Sequence, residues 1–169
     1  MKKRKLNKKG FTLIEVIVTL VLVGITAALA GMWLVSVVNG YIFTKMNANT
    51  VQKAQLAMTR LVREFSAIAV TSASGTGITY TRTDSALNPV TVVVSRVGNE
   101  LKINENNTGN NTLTDRVSAF ALAYCDSPDS TSCPSTWSST SKIIEITLTL
   151  TGAENTTSTF VQRVAPRNI

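Results

Sequence analysis

An apolar run near the start of the chain leaves it few places to reside. From Phe11 to Val38 the sequence reads FTLIEVIVTLVLVGITAALAGMWLVSVV, 28 residues with a single charge, Glu15. As a helix this run would be roughly 42 Å long, more than the ~30 Å hydrocarbon core of a bilayer requires. Six basic residues precede it: Lys2, Lys3, Arg4, Lys5, Lys8 and Lys9. A cationic flank of this kind holds its own end in the cytoplasm and predicts export of everything after Val38. A cleaved secretory signal has an apolar region of only about 7–15 residues. The run is therefore expected to stay on the protein as a membrane anchor.

The remaining composition narrows the chemistry. The chain has 169 residues, enough for one domain with a modest core. Its net charge of +7 suggests a polyanion partner, but from Phe11 onward eleven basic residues face ten acidic ones. The basicity is a short N-terminal tag. A near-neutral body without an Arg/Lys-aromatic cluster gives nucleic-acid binding no support. There is no histidine, which removes Ser-His-Asp and Cys-His catalysis and every His-containing zinc site. Two cysteines cannot build a Cys₄ site, and nothing resembles a phosphate-binding loop. No enzymatic activity is expected.

Glu15 is the anomaly of the run. A carboxylate costs roughly 2.5–3.5 kcal/mol at mid-membrane and less near the interface. It either sits close to the cytoplasmic surface, near the lysines, or awaits a positive partner. The surrounding residues, Lys8-Lys9-Gly10-Phe11-Thr12-Leu13-Ile14-Glu15-Val16, resemble the processing site of type IV pilins and type II secretion pseudopilins. The resemblance implies that a membrane-embedded prepilin peptidase cuts after Gly10 and methylates the new N-terminal amine on Phe11. It also makes Glu15 the acidic assembly residue of the family. The physics is coherent with that role. Stacking of subunits would bring Glu15 of one against the Phe11 amine of a neighbour, removing the penalty of two stranded charges and fixing axial register.

Past Asn39 the pattern becomes amphipathic. Phe43, Met46, Ala54, Met58, Leu61, Phe65 and Ile68 recur at helical steps, with one longer gap between Met46 and Ala54. No proline or glycine interrupts Tyr41 to Val70, so a single helix from about Phe11 to Val70 is expected, ended by Thr71–Gly77. Beyond it, Thr79–Thr83, Val90–Val97, Glu100–Ile103, Val117–Tyr124, Ile143–Leu150 and Thr156–Val164 read as strands. Gly98-Asn99 reads as a hairpin turn, Asn104–Thr112 as a polar loop, and Gly152–Asn155 as a turn. The expected class is α+β: a long N-terminal helix, membrane-spanning in its first half, packed on an antiparallel sheet of four or more strands. The resemblance implies the same fold. The expected organisation is a leader over 1–10, an anchor over 11–38, an amphipathic half-helix over 39–70 and an exported domain over 71–169.

Cys125 and Cys133 enclose Asp-Ser-Pro-Asp-Ser-Thr-Ser. In an exported domain a disulfide between them is expected. The alternative, a reactive or metal-binding pair, has no histidine or basic neighbour to support it. Asp126 and Asp129 are the carboxylates a Ca²⁺ site would use, since some pseudopilins bind calcium. Two carboxylates in a Ser-rich loop are more often simply solvated, and no cofactor is expected. Gly24 and Gly31 fall on one helix face, where they either admit close helix packing or reflect the glycine content of membrane helices.

Within the family, Leu56–Phe65 and the strings Ser141–Leu150 and Pro166–Asn168 are similar to J/W-type minor pilins and pseudopilins. Many major pilins carry a proline within the apolar run and a disulfide at the C-terminus. Here the first proline is Pro89, and Cys133 lies far from the end. The resemblance thus implies a minor subunit that primes or caps a type IV pilus or type II secretion pseudopilus. Its partners would be other pilins, the prepilin peptidase and the inner-membrane assembly platform. Its N-terminus would lie in the cytoplasm and its C-terminal domain in the periplasm or outside the cell. Two other readings stay open: an uncleaved, signal-anchored exported domain, and a pilin that captures DNA or another ligand.

Overall fold

Thr12 opens the first element by capping it. In the computed structural model of the chain, which describes residues 10–83, 85–106 and 108–167, helix α1 runs over Leu13–Phe65. The Thr12 hydroxyl accepts the Glu15 backbone N–H at 3.4 Å, and the Thr12 carbonyl accepts that of Val16 at 3.2 Å. Together these satisfy two donors that a helix start otherwise leaves unpaired. The chain divides into two units between Ile42 and Phe43. In the first, side chains point outward all round the helix: Phe11 is 80% exposed, Leu13 81% and Trp33 78%. A helix apolar on every face is covered by lipid or by other helices in its working state.

The second unit begins on the same helix with a different pattern. Thr50, Ala54, Ala57, Met58, Leu61 and Phe65 are buried, and Ile68 continues the stripe just past the helix. The apparent gap between Met46 and Ala54 is filled by Thr50. Its hydroxyl donates to the Met46 carbonyl at 3.0 Å, so it enters the core without an unmet donor. Phe43 and Met46 are only half-buried.

Eight strands follow: β1 (Ala69–Ser74), β2 (Gly77–Thr83), β3 (Pro89–Val97), β4 (Glu100–Glu105), β5 (Asn110–Thr114), β6 (Val117–Cys125), β7 (Ile143–Thr151) and β8 (Thr157–Val164). All pairing is antiparallel between consecutive strands. They form two sheets rather than the expected one: β1–β5 in a five-stranded meander and β6–β8 in a three-stranded one. The sheets are joined at β6, where Val117 donates to the Asn99 carbonyl at 2.8 Å and Leu122 to the Gly75 carbonyl at 2.9 Å. The common core takes Phe65 and Leu61 from the helix, Tyr80, Val92, Val94, Leu101 and Ile103 from the first sheet, and Leu122, Tyr124, Ile144, Ile146 and Leu148 from the second. This is the expected α+β arrangement, with the second half of a long N-terminal helix packed on antiparallel sheets.

Several boundaries correct the sequence expectation. The helix stops at Phe65, not near Val70, and Ala69–Ser74 is an edge strand, not a helix end followed by a loop. Burial of Ile68 and pairing with β2 through the Gly75-Thr76 turn outweigh the weak strand propensity of AVTSAS. The polar stretch Asn104–Thr112 is likewise divided: β4 extends to Glu105, and Asn110–Thr114 returns as β5 against it. The Gly98-Asn99 hairpin is as expected, with Val97 opposite Glu100 and Gly98 at φ 62°.

Candidate functional site

The residues singled out at the N-terminus occupy the first turn of α1 and the segment just before it. Gly10 and Phe11 precede the helix, and a Cβ placed on Gly10 would meet nothing within 4 Å among the described residues. Glu15 stands three residues after the capping Thr12. This Thr-Leu-Ile-Glu spacing is that of a capping box, a signal present in the sequence and not read from it above. Glu15 is the acidic residue of the first turn of α1, where a negative charge lies favourably in the helix dipole. Gly24 and Gly31 leave open helix surface: apart from the helix's own nearby backbone, no atom of the described residues lies within 4 Å of an added Cβ. α1 is the only helix among the described residues that is long and apolar enough to cross a membrane.

Three polar anchors fasten the second half of α1 to the strands. Nearest the chain junction, the Asn47 amide oxygen accepts the Ala153 N–H at 2.8 Å and the Thr156 hydroxyl at 3.1 Å. In the middle, Lys53 Nζ donates to both Asp115 carboxylate oxygens, at 2.7 and 2.8 Å. Those hydrogen bonds hold the Asp115 carboxyl below the usual carboxylate range. At the end, Glu64 accepts the Tyr80 hydroxyl at 3.2 Å, and Arg82 lies 3.8 Å from Glu64 and 2.8 Å from Glu105. Burial first, and then the adjacent Glu64 charge, push the Tyr80 phenol well above its ordinary range. Only the core stripe of this helix was legible in the sequence. The anchors join residues far apart in the chain, and no local pattern marks them.

Cys125 and Cys133 form a disulfide, with Cα atoms 4.6 Å apart. Arg163 holds the loop between them, donating to the Pro128 and Ser130 carbonyls at 2.6 and 3.0 Å and pairing with Glu145 at 2.7 Å. Trp137 stacks edge-on against Tyr124 at 5.5 Å. Asp126 accepts the Thr140 hydroxyl at 3.0 Å, and both Asp126 and Asp129 are exposed. Among the described residues, one group of three side chains has metal-ligand spacing: Cys125, Cys133 and Glu145. Its two sulfurs are bonded to each other, so as a disulfide it offers no thiolate to a metal.

Residues 5–31 match the prokaryotic N-terminal methylation motif, the motif of type IV pilins and pseudopilins. No curated protein matches the chain. The motif stands at the head of an apolar helix that continues into an α+β domain, a combination similar to that of pilins. The motif implies processing by a prepilin peptidase and assembly with other pilins.

Proposed function

We propose that this chain is a minor pilin or pseudopilin, of the J/W kind, that primes or caps a type IV pilus or type II secretion pseudopilus. Before assembly it is held in the inner membrane by residues 11–38, with its leader in the cytoplasm and its β-rich domain on the far side. Prepilin peptidase removes residues 1–10 by cutting after Gly10, and Phe11 becomes the methylated N-terminus. The observation that carries this reading is the coincidence of Lys8-Lys9-Gly10-Phe11 with Thr12-Leu13-Ile14-Glu15 and an unbroken apolar helix. The proline-free run supports a minor role over that of the bulk subunit.

Glu15 then serves twice. In the single chain it belongs to the capped first turn of α1. In the assembly it meets the Phe11 amine of a neighbour inside an apolar bundle, where neither charge has another partner. Glu15→Ala is expected to leave cleavage and membrane insertion intact while abolishing co-purification with sister subunits. A Glu15→Ala chain that still assembles as the parent does would remove the pairing from the account.

A further inference from the structure

The strands bring a third ligating side chain to the two cysteines. Cys125 ends β6, and Glu145 stands on β7 opposite Ala123. Side chains alternate along a strand, so Ala123, Cys125 and Glu145 share one face of the sheet. Cys133 reaches them from the loop. The two sulfurs and a Glu145 carboxylate oxygen lie within 4.8 Å of one another. Cys125 is buried, whereas Cys133 and Glu145 are half-buried.

Hydrogen bonds hold the loop in place alongside the S–S bond. The Tyr124 N–H donates to the Pro134 carbonyl at 2.8 Å, and the Lys142 N–H to the Cys125 carbonyl at 2.9 Å. The first of these keeps the chain neighbours of Tyr124 and Pro134, Cys125 and Cys133, side by side. Arg163 adds its bonds to the Pro128 and Ser130 carbonyls. Reduction therefore leaves two thiols facing each other beside a carboxylate.

Two thiolates and one carboxylate form a soft donor set that suits Zn²⁺, with water in the fourth tetrahedral position. Ligand atoms around such an ion stand about 3.6–3.8 Å apart, given its bond lengths to sulfur and oxygen. Once the S–S bond opens, small side-chain shifts reach that spacing. A hard cation such as Ca²⁺ needs about six or more oxygens and finds one carboxylate here. Charge points the same way: two thiolates, Glu145 and Arg163 sum to two negative, which a divalent ion neutralises. Arg163 Nε donates to Glu145 at 2.7 Å and orients the carboxylate, as outer partners of metal ligands do.

We propose that Cys125, Cys133 and Glu145 bind Zn²⁺ when the disulfide is reduced, so that one loop is closed either covalently or by a metal ion. A dithiol supplies the electrons. It becomes a cyclic disulfide, Cys125 and Cys133 become thiols, and the ion displaces their two protons to solvent. The site lies within the β-rich domain and does not depend on processing at Gly10.

Co²⁺ titration of the untagged full chain in non-ionic detergent tests this, after reduction with dithiothreitol and anaerobic removal of the reductant. The chain has two cysteines and no histidine, so a sulfur-to-cobalt charge-transfer band can arise only from this pair. One tetrahedral Co²⁺ per chain is expected, displaced by equimolar Zn²⁺ and absent from the oxidised chain. Glu145→Gln should keep the charge-transfer band, which shows the cysteines still in place, and weaken Zn²⁺ binding about tenfold or more. A reduced chain without that band, one ion shared by two chains, or a Glu145→Gln chain that binds as tightly as the parent would each overturn the site. Circular dichroism of the reduced chain before metal is added should match that of the oxidised chain. Loss of the β-sheet signal at that stage would also overturn the site, because the hydrogen bonds would not then be holding its ligands together.

Discussion

Asn47 and Gly152 show how much one position of this domain depends on another that is distant in sequence. The Asn47 amide oxygen accepts the Ala153 N–H, 106 positions away. A Cβ on Gly152 would collide with that same oxygen. Gly152→Ala should therefore push the amide out of the turn, unpairing the Ala153 N–H and the Thr156 hydroxyl, and cost about 1–3 kcal/mol. Urea unfolding monitored by circular dichroism reads that loss. Adding Gly152→Ala to Asn47→Ala should cost much less than the sum of the two, because both break one contact. Additive losses would mean that the clamp is not what holds this turn. Nothing in Gly-Ala-Glu-Asn announces a partner on α1, so the sequence reading stopped at a turn. By contrast, the roles proposed for Gly10, Phe11 and Glu15 rest on the nine-residue local motif Lys8–Val16, which a linear reading can find.

At the scale of elements, the chain was readable where one face of an element is buried and unreadable where pairing alone makes it. The alternation of Ile144, Ile146, Leu148 and Leu150 marks β7, whose burial follows it residue by residue. β1 and β5 are edge strands of small and polar residues, AVTSAS and NNTLT, that become strands only because β2 and β4 offer them hydrogen bonds. The division into two sheets was hidden for the same reason, since hairpin signals give neighbours but not where a meander breaks. The disulfide loop belongs to this scale too. Closing a loop with a separation of eight residues removes chain entropy worth about 2.5 kcal/mol. Replacing both cysteines by alanine should lower the unfolding free energy by about that much and alter Trp137 fluorescence, since Trp137 packs on Tyr124 beside Cys125. An unchanged denaturation midpoint would mean that Arg163 alone holds the loop.

Across the whole molecule, a core built around two buried tyrosines sets an alkaline limit. Burial raises both Tyr80 and Tyr124 far above the ordinary phenol range, Tyr80 further through Glu64. The unfolded chain loses these protons at about pH 10, so the stabilisation is fully present below that pH and is lost as pH rises above it. Two of the three tyrosines are expected to yield phenolate only as the domain unfolds, with absorbance and circular dichroism moving together. Complete phenolate formation in a folded domain would contradict the burial.

The same scale holds the claim on which the functional account turns, that the chain is a processed filament subunit and not a permanent single-pass anchor. Intact mass and N-terminal sequencing of the protein from membranes of cells with an active prepilin peptidase address it directly. The account predicts a chain that begins at Phe11, lacks the first ten residues of the sequence and carries one added methyl group. A chain beginning at Met1 in those cells would contradict it, and the pairing assigned to Glu15 would fall with it.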